Sequence, residues 1–159
     1  MGIRSAAKAI IIKGDKILLN ECKDIKNGDY YSLPGGGQQK YETLYEAVVR
    51  ECLEETGYTV IPIRFAALCE EICMDTEIRE IYPEYAHKMY HIFICELENK
   101  EVKAPTEKDC MQLDSKWIEM DVLQSVRILP KLVGSNILGI INGTVSAFLG
   151  SEHIDFNHG

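Results

Sequence analysis

The chain has 159 residues, enough for one domain with a sizeable core, and its 46% apolar and 26% charged content is ordinary for a globular protein. Its formal charge of -8, from 17 basic and 25 acidic residues, argues against a nucleic-acid partner, and a small anionic ligand would need divalent cations to bridge it to the protein. The first residues hold no apolar signal core and no apolar run reaches the ~18 residues of a membrane span, so no membrane partner is expected and the cytoplasm is the expected location.

In chain order, residues 6–13 are rich in isoleucine, Gly14 and Asp15 make a turn, and residues 16–21 continue apolar, which predicts a β-hairpin. Residues 24–29 read as a polar loop and 30–33 as a short strand, after which Pro34, Gly35, Gly36 and Gly37 should break regular structure. Thr43 has the character of a helix N-cap. Glu46 three residues on completes a capping box, and helix formers continue to Gly57, a suitable C′ residue. Residues 59–73 and 88–97 read as strands, the second carrying Tyr90, Ile92, Phe93 and Ile94. A charged loop over 98–114 precedes a short strand at 115–120 around Trp117. A helix over 130–141 follows, with Pro130 near its start and Gly143 past its end, then an edge strand at 145–149 and a polar tail. The order predicts one α/β domain over residues 1–159, with a mixed sheet between helices. Six cysteines, at 22, 52, 69, 73, 95 and 110, show no CxxC pair and no zinc-type histidine spacing, so they are read as reduced, mostly buried thiols.

Chemistry concentrates on the early helix. At about 100° per residue, Glu51, Glu54 and Glu55 fall within an arc of roughly 100°, on the side that Leu44, Ala47 and Val48 occupy one or two turns earlier. The inward face starts apolar and finishes acidic, as at a cleft. Each pair of carboxylates held near 6 Å would repel by about 2–3 kcal/mol at an effective dielectric of 20, and all three crowd the helix end where the macrodipole disfavours anions. Arg50 can pair with Glu46 or Glu54, yet one arginine cannot neutralise the group. Magnesium or manganese, hard ions that accept carboxylate oxygens, can. A glutamate-rich helix alone is more often a solvated face; the upstream glycines, which permit a close backbone approach, shift that balance.

Gly36, Glu42 six residues on, then Arg50, Glu51, Glu54, Glu55 and Gly57 fill all seven polar and glycine positions of a pattern resembling the Nudix box, Gx5Ex7REUxEExGU, over residues 36–58. Cys52 and Tyr58 stand where a bulky aliphatic residue is usual, which bears on packing more than on catalysis. The resemblance implies an α/β/α sandwich around mixed sheets with the box as loop–helix–loop, and a Mg2+- or Mn2+-dependent hydrolase of a nucleoside diphosphate linked to another moiety. It implies metal ligation by Glu51, Glu54 and Glu55 with the Gly35 carbonyl, and an ion pair of Glu42 with Arg50 that shapes the loop. Glu51, Glu54 and Arg50 are the candidate catalytic residues, with Glu51 ahead of Glu54 as the group that orients or deprotonates water. A later acidic ligand could come from Glu107, Asp109 or Asp114, although Lys116 stands before Trp117 where some relatives carry glutamate. His87, His91, Tyr30, Tyr31 and Tyr90 are read as structural. ADP-ribose-type cleavage and sanitation of oxidised nucleoside triphosphates remain level as substrate classes; a homodimer is compatible with the family. The rival reading is a Nudix-like sensor or scaffold that binds a nucleotide without cleaving it; retention of every box carboxylate weighs against it.

Overall fold

A computed structural model describes residues 2–106 and 112–155. The predicted hairpin forms as β1 (Arg4–Lys13) and β2 (Lys16–Asp24), but the two pair only beside their turn, at Ile12↔Ile17 and Lys13↔Lys16. Beyond that point β2 leaves β1 and pairs with β3 (Gly28–Ser32) on one edge and β7 (Gln112–Glu119) on the other. β1 instead runs parallel to β6 (His87–Val102), which is antiparallel to β5 (Tyr58–Cys73), itself parallel to β8 (Phe148–Ile154). The result is a mixed eight-stranded sheet, with β4 (Gly35–Gly37) added on β1.

Alternation along β1 assigns the two faces. Ala6 and Ile10 point into a core shared with Val133, Ile137 and Ile140 of α3 (Lys131–Asn142). Ala7, Ala9 and Ile11 point into a second core with Ala47, Val48 and Cys52 of α1 (Leu44–Thr56). Each helix buries its apolar stripe on one side of the sheet, which makes the α/β/α layering. The small residues on the buried stripe of α1 let it lie close to β1 and β4.

Three expectations are corrected, and one helix is added. The glycines at 35–37 do not break the sheet: they pair antiparallel with β1 at Ala6↔Gly37, Ala7↔Gly36 and Lys8↔Gly35. Only glycine allows that approach, because a Cβ at Gly35 would lie 2.1 Å from the Ala7 carbonyl oxygen and φ there is 132°. The charged stretch 98–102 is strand, held by pairing Val102 with Tyr58. The last strand falls later than expected, at Phe148–Ile154, because the free edge of β5 accepts polar Ser151, Glu152 and His153 as readily as apolar residues. The added element is a short helix, α2 (Thr76–Ile81), which Asp75 caps by accepting from the backbone of Glu77 and Ile78.

Candidate active site

The site is built where β4 meets the second half of α1. The capping box forms as expected, Thr43 accepting from Glu46 N–H and Glu46 from Thr43 N–H. Gly57, at φ 79°, ends the helix by donating to the Leu53 carbonyl. Its far end is clamped from outside: Lys103 N–H donates to the Gly57 carbonyl at 2.8 Å and Thr106 N–H to the Glu54 carbonyl at 3.0 Å. The acidic half of α1 is therefore fixed by segments distant in sequence.

Arg50 organises the carboxylates. Its Nε and one Nη2 hydrogen grip Glu42 at 2.7 and 3.0 Å. Its Nη1 donates to Glu51 Oε1 at 2.9 Å and Glu54 Oε2 at 3.2 Å, and Nη2 also donates to the Gly37 carbonyl at 3.0 Å. All five guanidinium donors are spent on the protein. Glu46, the other partner considered for Arg50, is engaged in the cap instead. The bonds to Glu42 are the main reason the Arg50 pKa is pushed up, and they hold the Glu42 carboxyl below its ordinary value. Burial pushes Glu51 the other way, above its ordinary value, against the pull of Arg50 and Lys8 and with Glu54 adding to the rise.

Glu55 sits deeper, 5% exposed. Its Oε1 accepts from Gly35 N–H and from Asn20 Nδ2, both at 3.0 Å. Asn20 is held in turn by Ser115 Oγ–H at 2.8 Å, and Gln112 donates to the Glu55 carbonyl at 3.1 Å. Gly36 faces Glu51 so closely that a Cβ there would lie 2.6 Å from the carboxylate carbon. Residues 2–133 match the family model of the NUDIX domain. The chain belongs to the NUDIX family.

A Caenorhabditis elegans relative provisionally named nudix hydrolase 1 is 27% identical over 149 residues, or 91% of this chain; the chain spans only 36% of that relative's length. Among solved structures, a NUDIX hydrolase from Nitrosomonas europaea superposes with a TM-score of 0.70 at 19% identity, covering 92% of this chain and 93% of its own. An ADP-ribose pyrophosphatase from Streptococcus suis 89-1591 superposes at 0.58 and 21% identity, covering 94% and 98%. At such identities the structural likeness speaks for the NUDIX fold alone.

In this NUDIX chain the expected metal donors are all oxygens, the chemistry a hard dication prefers. Among the described residues no three His, Cys, Asp or Glu side chains already enclose a point for an ion, because Arg50 stands between Glu51 and Glu54 and Glu55 turns to Gly35 and Asn20. Even so, Glu51 Oε2 and Glu54 Oε1 accept no hydrogen bond from a described residue, and the Gly35 carbonyl keeps a lone pair beyond the one that meets Lys8 Nζ at 3.0 Å. The residues fit such an ion. A cleft of about 520 Å³ opens beside the box; Arg4, Ser5, Gln38, Tyr41 and Glu42 line it, and it touches the carboxylate cluster through Glu42.

Other candidates have different employment. His87 pairs with Glu70 at 2.6 Å and His91 Nδ1 bonds the Ala6 carbonyl at 3.1 Å. Tyr30 and Tyr90 are buried, and Tyr31 packs against the α3-side core. Lys116 pairs with Glu21 at 2.5 Å, and Asp114 accepts from Ser115 N–H. Glu107, Asp109 and Cys110 lie outside the described residues. The five other cysteines are buried thiols, and burial pushes Cys69 and Cys95 up to about 12, which leaves them poor nucleophiles. Among the described residues no helix is long and apolar enough to cross a membrane. Lys8, Asn20 and Gln112 also reach this group, at Gly35 and Glu55, beyond the residues expected from the sequence; the available signal is a polar side chain inside a run otherwise apolar, at Lys8 and Asn20.

Proposed function

We propose that the chain hydrolyses a phosphoanhydride bond in a nucleoside diphosphate linked to a further moiety, with Mg2+ or Mn2+ as cofactor. The observation that carries this reading is the convergence of Glu51 and Glu54 on one guanidinium, each with an oxygen left over, beside a loop stripped of side chains at Gly35 and Gly36. Glu51, Glu54, Glu55 and the Gly35 carbonyl would hold the ion, which when bound acidifies water and offsets phosphate charge. Arg50 and Glu42 keep the loop and helix in register, which holds Glu51 and Glu54 beside the glycine loop as substrate arrives. Glu51 orients or deprotonates the attacking water. The cleft past Glu42 offers room for the rest of the nucleotide.

The test is Glu54→Gln, assayed with a substrate panel under magnesium and under manganese with products read by mass. Turnover should fall at least about a hundredfold with the fold intact, as expected for a charge that serves the transition state. Near-wild-type activity would remove the metal-site assignment. Nucleoside monophosphate released from ADP-ribose, or pyrophosphate released from an oxidised triphosphate, separates the two substrate classes. A wild-type chain that binds nucleotide and releases neither would instead be a sensor.

A further inference from the structure

Lys8 lies mid-strand in β1, in alternation with the buried Ala6 and Ile10, and is itself only 9% exposed. Burying an ammonium among apolar neighbours is costly unless something receives its charge and its hydrogen bonds. Its Nζ donates to the Gly35 carbonyl at 3.0 Å. An ammonium carries three donors, and the other two meet no acceptor among the described residues. The neighbourhood is the box: Gly35 N–H holds Glu55, Gly36 lies against the Glu51 carboxylate, and the charge of Lys8 is felt at Glu51.

Two cations act on this group of carboxylates, Arg50 by direct bonds and Lys8 through its charge, and they differ in what they can still bind. Arg50 has spent all five donors on Glu42, Glu51, Glu54 and Gly37. Lys8 has spent one. A phosphate group entering between Glu51, Glu54 and the glycine loop is repelled by every carboxylate there, and a point charge with open donors beside the loop answers that repulsion directly.

We infer that Lys8 binds the diphosphate of the substrate, a role that rests on the functional reading above. The probe is methylenediphosphonate, a diphosphate that is not hydrolysed and has no base, titrated calorimetrically into the full chain with magnesium. Manganese binding without diphosphate is followed separately by electron paramagnetic resonance. Lys8→Met should weaken the diphosphonate at least tenfold while manganese affinity stays within twofold, and Lys8→Arg should recover part of the loss. Unchanged diphosphonate binding in Lys8→Met overturns the assignment and leaves the hydrolase reading standing. Tighter manganese binding with unchanged diphosphonate overturns it too, and makes Lys8 a resident counter-charge of the carboxylates. Should Lys8→Met fail to fold, Lys8→Gln carries the same test, with weakening in support and wild-type binding against. A wild-type chain that ignores the probe overturns the functional reading and this inference together.

Discussion

At the scale of single residues, Glu51 stores an electrostatic cost. Its side chain is 17% exposed, and burial raises its pKa above the ordinary 4.5 despite the bond from Arg50. Between 4.5 and the raised value the folded chain holds a proton that the unfolded chain has released, so stability falls as pH rises through that window and the cost is complete above it. Glu51→Gln removes the ionisable group and keeps an oxygen for Arg50. In chelator, its thermal midpoint should exceed that of wild type at pH 8, with the gap closing as pH approaches 4.5. A gap that does not change with pH would show that the burial of Glu51 has no such cost. Glu42 behaves in the opposite sense: lowered by Arg50, it contributes stability above its unfolded value that is lost on acidification.

Among the elements, α1 does the most for the site, and its C-terminus is the tightest point. At Gly57 φ is 79°, and a Cβ there would lie 1.7 Å from the Lys103 carbonyl oxygen, a backbone atom that cannot swing aside. Gly57→Ala should cost about 1–3 kcal/mol or more, from the left-handed backbone and the clash together, read from urea unfolding midpoints. A loss below about 0.5 kcal/mol, the scatter of ordinary surface substitutions, would mean that residues 103–106 do not clamp the helix end. The same contact explains why 98–102 is strand despite its charge: β6 must run on to Val102 to reach Tyr58 and deliver Lys103 to Gly57.

For the whole molecule, net charge and fold stability meet at the box. A chain of charge -8 that gathers Glu42, Glu51, Glu54 and Glu55 around Arg50 and Lys8 keeps an excess of negative charge in one place. An ion that binds only the folded chain stabilises it by about 2.7 kcal/mol at a hundred times its dissociation constant, worth roughly 5–10 °C for a protein of this size. Saturating Mg2+ or Mn2+ should raise the thermal midpoint of the wild-type chain by that order, and should move Glu51→Gln and Glu54→Gln much less. Indifference of the wild type to both ions would sink the metal reading.

Helix α1, both its caps and the spacing of Glu51, Glu54 and Glu55 could be read before any coordinates, because capping and the i, i+3, i+4 geometry of a helix act over one turn of chain. Most strands followed from apolar runs in the same local way, and a mixed sheet between helices from the order of the elements. What the chain could not disclose alone were contacts between distant residues: Lys8 with Gly35 across 27 positions, Asn20 with Glu55 across 35, Gln112 with Glu55 across 57. Nor could it disclose that glycines pair as β4, that β2 leaves β1 after two residues, or that a polar segment completes the edge of β5. Strand partners are chosen by which edges are left open once the sheet assembles, and side chains buried between elements acquire their charge partners only then; neither is encoded within any short window of sequence.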